Sequence, residues 1–130
     1  MAATVTKNDA QKVGGKWLFS WDIVETGIGG ASNWAAITDV PVRGTIVKLH
    51  SVFVSGSGST VRPVLGRTDD FVVGDINQIT AQPTAAALVI DTTRTPYYSS
   101  TGTLYLESTP DNGTADHVVH TKLLIVASWE

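Results

Sequence analysis

The residues of this chain best suited to chemistry lie in its last stretch, HVVHTKLLIVASWE. His117 and His120 stand three apart, a spacing that on a helix offers two imidazoles to one metal ion. On a strand the same spacing sends them to opposite faces, because side chains alternate. The aliphatic and β-branched residues around them read as strand. His117 then shares a face with Val119, Leu123, Ile125 and Trp129, and His120 shares the other with Lys122, Leu124 and Val126. The third histidine, His50, lies in another segment with no second ligand near it in sequence. The expectation is no metal site and histidines that are structural or solvated.

Hard oxygen donors gather in DNGTAD (111–116), where Asp111, Asn112 and Asp116 resemble part of a calcium loop. The bidentate glutamate that closes an EF-hand loop is missing, so the segment reads as a polar turn. Asp69, Asp70 and Asp75 form another acidic group, but nothing fixes their separation, and they too read as turn residues. Asn112-Gly113-Thr114 fits a glycosylation sequon and carries little weight without a secretion signal. No G-x-S-x-G elbow is present, and GIGGAS lacks the lysine and hydroxyl of a phosphate loop. The expectation is a non-enzymatic protein with no catalytic residues, no cofactor and no small-molecule substrate.

Four tryptophans in 130 residues leave aromatic chemistry to weigh. Trp17 and Trp21 read as core. Trp34, beside a glycine-rich loop, is open between core and interface. Trp129 closes an apolar run, which suggests that this end is clamped by the fold or by a neighbour. Trp34, Tyr97 and Tyr98 would suit sugar stacking if they formed an exposed coplanar row.

These residues must be positioned by strands. Charged residues make up only 16% of the chain against 42% hydrophobic, with 12 glycines and many Thr, Ser and Val, the profile of an all-β domain. A net charge of −3 argues against nucleic acid as partner. The absence of cysteine excludes disulfides and thiolate chemistry. No signal-peptide core or membrane-length apolar run is seen, so synthesis in the cytoplasm and no membrane partner are expected.

In KWLFSWDIVE, Trp17, Phe19, Trp21 and Ile23 alternate with Leu18, Ser20, Asp22 and Val24, a strand pattern. RGTIVKLHSVFVS (43–55) is the clearest strand, with Val47, Leu49 and Phe53 on one face and Ser51 between them. Pro63 marks TVRPVLG as an edge strand or bulge. WAAIT, DFVVG, ALVIDT, TLYLEST and VVHTKLLIVASW complete seven or eight strands, while residues 75–86 read as loop. The expected architecture is a single-domain antiparallel β-sandwich or jelly roll (16–130) preceded by a flexible N-terminal arm (1–15).

Three segments together carry a likeness: MAATVTKNDAQKVGG as an arm, RGTIVKLHSVFVSGSGSTVRPVLGRTDDF as strand–turn–strand, and GTLYLESTPDNGTADHVVHTKLLIVASW as a closing hairpin. The chain resembles small β-sandwich virion proteins of tailed bacteriophages, of the capsid decoration (cement) type. That resemblance implies a structural protein that stabilises the phage head by binding the major capsid protein lattice, or another virion protein, and that associates with itself, often as a homotrimer. Location in the virion follows. The expected interface is the arm together with exposed aromatics, represented by Val5, Lys7, Lys12, Trp34 and Trp129. A tail, neck or adaptor component and a carbohydrate-binding β-sandwich module are the alternatives.

Overall fold

The structure is a computed structural model that describes residues 1–29, 33–56, 61–66, 88–91, 95–110 and 113–128. Within them the chain is all-β and forms two antiparallel sheets that face each other as a sandwich, the larger one curled. The ten strands are β1 (Ala2–Lys7), β2 (Gln11–Val13), β3 (Lys16–Ile28), β4 (Asn33–Ile37), β5 (Arg43–Ser55), β6 (Val61–Gly66), β7 (Leu88–Asp91), β8 (Thr95–Tyr98), β9 (Leu104–Pro110) and β10 (His117–Ala127). The large sheet runs β1-β3-β10-β5-β7, with β2 also on β3 and β8 also on β5; the small sheet runs β4-β9-β6.

Alternation sets the inner face of the large sheet. Phe19, Trp21 and Ile23 on β3, Leu123 and Ile125 on β10 and Leu49 on β5 are all buried against Ala35, Ile37, Leu104, Leu106 and Leu65 of the small sheet. Each strand offers its apolar set on one side only, and burial of that set drives the two sheets together. A second, smaller cluster of Ile28, Phe53, Val61 and Val119 fills the far end of the sandwich.

Residues 1–15, expected as a flexible arm, instead run along the edge of the large sheet. Six consecutive residues of β1 pair with β3, from Ala2 opposite Thr26 to Lys7 opposite Trp21. Gly14 and Gly15, at φ +57° and +83°, make a two-residue turn that folds β2 back on Lys16–Leu18. Such a turn needs positive φ at both central positions, which glycine adopts without strain and which matches the twist of the flanking strands. Asn8 fastens the junction between β1 and β2: its side chain donates to Ser20 Oγ at 3.0 Å and to Asp22 Oδ2 at 2.8 Å.

Two further expectations change. TLYLEST and VVHTKLLIVASW do not close as a hairpin: β9 is the middle strand of the small sheet, and β10 lies between β3 and β5 of the large one. In β5 the register shifts, with Ile46 opposite Ile125 and Lys48 opposite Leu124. This bulge leaves Val47 half-buried and gives its expected inward place to Ile46, which is fully buried. Among the described residues Pro63 falls on β6, at the edge of the small sheet, where proline is tolerated. DFVVG and the 75–86 segment lie outside the described residues.

Candidate functional site

Two groupings of polar side chains emerge, one between the sheets and one on the outer face of the large sheet. The inner one starts from Glu25, which continues the inward row of Phe19, Trp21 and Ile23 and is fully buried. Ser108 of β9 reaches across from the other sheet and donates its hydroxyl to Glu25 Oε1 at 2.8 Å. Oε2 has no hydrogen-bond partner among the described residues. Burial raises the Glu25 pKa to about 7, and the Ser108 bond opposes that rise without cancelling it. Beside it, Ser51 of β5 and Thr121 of β10 stand opposite each other with their hydroxyls 2.8 Å apart. These four residues form a polar belt between the two apolar clusters.

His117 sits just beyond this belt. A register shift between His117 and Val119 lets Glu25 and Ile28, three apart, both turn inward. Gly27, at φ +65°, supplies the left-handed residue for this irregularity. His117 is fully buried, donates Nδ1–H to the Ile28 carbonyl at 2.7 Å and lies 5.8 Å from the Phe53 ring between centroids. The belt and His117 are buried: Ser108–Glu25 ties the two sheets together, while Ser51–Thr121 and His117–Ile28 tie strands within the large one.

His120 points the other way. It pairs with Val24 and Val52 across the outer face, and Lys122, two residues on, pairs with Asp22 and His50. The fold therefore brings His50 diagonal to His120, a meeting that sequence distance hid. A shallow trough of about 210 Å³ opens here, lined by Asp22, Val24, His50, Val52, His120 and Lys122 among others. Lys122 Nζ lies 3.7 Å from Asp22 Oδ1. His50 Nε2 is buried with no hydrogen-bond partner among the described residues. Burial, then the Lys48 and Lys122 charges, lower the His50 pKa. Among the described residues no group of three or more His, Cys, Asp or Glu is placed to hold a metal ion.

The expected interface residues scatter. Val5 is half-buried and packs against the main core. Lys7 turns toward Asp39, with Nζ 3.0 Å from Oδ2 and 3.0 Å from the carbonyl oxygen, and it lies over the Phe19 and Trp21 rings. Lys12 is exposed on β2, opposite Trp17, and Trp34 is half-buried on β4, opposite Glu107. Trp129, Asp69, Asp70, Asp75, Asp111 and Asn112 lie outside the described residues. Asp116 is exposed, its Oδ1 3.5 Å from His117 Nδ1. Tyr97 is buried and donates its hydroxyl to the Pro41 carbonyl at 2.6 Å, whereas Tyr98 is exposed beneath Arg43. Tyr97 is thus withdrawn from any sugar-stacking row.

Sequence reasoning passed over Glu25 and Ser108, although a signal was present: Glu25 is a carboxylate in phase with the aromatic residues of β3. It also passed over the outer face. Leu18, Val24, Val52, Leu124 and Val126 are half-exposed there, where an antiparallel sheet with one face on the core ordinarily carries polar residues. Comparison of the chain with protein-family models, with curated proteins and with solved structures finds no match in any of the three.

Proposed function

We propose that this protein is a non-enzymatic structural component of a virus particle, a decoration protein that binds the major capsid protein lattice of a phage head. The observation that carries the reading is the outer face of the large sheet, where aliphatic side chains share the surface with charged ones. Leu18, Val24, Val52, Leu124 and Val126 stand half-exposed on its solvent side among Asp22, His50, His120 and Lys122, and such a mixed polar and apolar surface suits contacts between proteins. The resemblance of the chain to small β-sandwich virion proteins supplies the type of assembly.

Co-sedimentation tests the reading. Purified protein is mixed with shells stripped of decoration, from the virus that encodes the chain, and the shells are pelleted. Saturable binding at a fixed number of copies per shell is expected. Protein that stays in the supernatant at every concentration refutes it.

A further inference from the structure

We propose that the outer face of the large sheet docks an acidic segment of a partner protein, an extended stretch with carboxylates at both ends and aliphatic side chains between. The proposal goes beyond the decoration reading, because it fixes the chemistry of the partner and holds for any protein that carries such a segment.

The charges of this face run against those of the chain. The outward residues of β3, β10 and β5 include Lys16, Arg43, Lys48 and Lys122 against a single acid, Asp22. The whole chain has the opposite balance, with 9 Lys and Arg to 12 Asp and Glu. Asp22 is also committed: Oδ2 accepts from Asn8 at 2.8 Å, and Oδ1 lies 3.7 Å from Lys122 Nζ. Lys16, Arg43 and Lys48 have no ion-pair partner among the described residues.

Like charges gather in the middle of the face. Lys122 stands directly opposite His50, with Lys48 diagonal to it, and His120 is diagonal to His50. Same-sign neighbours across strands repel. After burial, the Lys48 and Lys122 charges are what lower the His50 pKa. A cationic cluster with too few counter-anions costs the free protein stability, and a partner that brings the anions relieves it.

Along β10 the face divides into three zones. The cluster around Lys122 occupies the first. Leu18, Leu124 and Val126, half-exposed and aliphatic, form the second. Lys16 and Arg43 close the far end, about six residues and ~20 Å from the Lys122 row at about 3.4 Å per residue. An extended segment running along β10 crosses all three zones. It needs only the width of β3, β10 and β5, so the curl of the sheet does not obstruct it.

The aliphatic zone selects the class of partner. Single-stranded nucleic acid takes a basic groove with aromatic rings for its bases. The outward rows of these three strands hold no Phe, Tyr or Trp. Leucine and valine suit instead the apolar side chains of a protein, with charge at the rim of the contact.

Fluorescence anisotropy with the whole chain tests the docking. The probe is a labelled synthetic peptide with glutamates at both ends of a valine–threonine stretch of about six residues, the span set by the strand rise. Saturable binding that weakens as salt rises is expected. Lys48→Glu together with Lys122→Glu should weaken binding about tenfold, with circular dichroism and melting confirming the fold. Lys12→Glu, at a position that shares the inward side with Trp17, should leave binding unchanged. No binding at low salt overturns the proposal, as does equal binding by the double variant or of a peptide with its glutamates moved to the middle. Tighter binding of an oligothymidylate of equal charge would overturn it in favour of nucleic acid. Peptide capture by a protein that fails to bind stripped shells would support this docking and sink the decoration reading.

Discussion

Replacing Glu25 by glutamine should change how stability depends on pH. Glu25 is fully buried between the sheets, with Oε1 held by Ser108 and Oε2 unpartnered among the described residues. Its pKa rises from 4.5 in the open chain to about 7 in the fold. The raised value means that the folded protein holds a proton which the unfolded chain releases first. Stability from this group is therefore complete below pH 4.5, falls as pH rises toward 7, and is flat above that. At about 1.4 kcal/mol per pH unit, the loss across that window is about 3 kcal/mol. Glutamine does not ionise, so Glu25→Gln lacks this decline. Its amide sets a pH-independent offset, because an –NH₂ group replaces Oε2 where no acceptor waits. The offset cancels when the difference between variant and wild type is compared at two pH values. Urea denaturation at pH 4 and at pH 8.5 should show the variant gaining about 3 kcal/mol relative to wild type at the higher pH. In melting temperature the gain is about 10 °C for a domain of this size. Parallel pH profiles for the two proteins would refute the reasoning, since they would mean that Glu25 does not titrate differently on folding.

Removing the Ser108 hydroxyl (Ser108→Ala) takes away the bond that holds the Glu25 carboxylate down, so the pH window of instability should extend upward, as read by the same denaturation series. At Gly44 an added Cβ would lie 2.9 Å from Ile125 Cγ2, 3.0 Å from Tyr97 Cε1 and 3.1 Å from the Val126 carbonyl. Gly44→Ala should therefore cost about 1–3 kcal/mol by overpacking, measured as a lower urea midpoint with unchanged slope. Tyr97→Phe leaves the ring in place and removes the 2.6 Å bond to the Pro41 carbonyl, a loss of about 1 kcal/mol in chemical denaturation.

Much of the fold was legible because strand alternation is local. The inward row of β3, the full extent of β5 and the opposite orientations of His117 and His120 follow from side chains that switch faces at every residue. Pro63 pointed to an edge strand or a bulge because a central ladder cannot spare the N–H, and among the described residues it lies on an edge. Less was legible where one residue resets the phase. The bulge at Val47 is not signalled by its own side chain, and it exchanged Val47 for Ile46 in the core. The Gly14-Gly15 pair did carry a turn signal, but β1 has only Val5 and small or polar neighbours. Its order comes from pairing with β3 and from Asn8 and Lys7, which bond to groups 12 to 32 residues away.

The amino-acid sequence by itself determined that this chain is an all-β sandwich, which side of its main strands is buried, and that no familiar catalytic motif is present. Those properties depend on composition and on a period of two residues, both readable within one segment. The tertiary structure alone decided that β9 and β10 part company into different sheets, and that Ser108 meets Glu25 across 83 residues. It also decided that His50 and His120 share an outer face with Val24 and Val52. Such meetings depend on which strands pair and in what register, and long-range burial of the two inner faces fixes that choice.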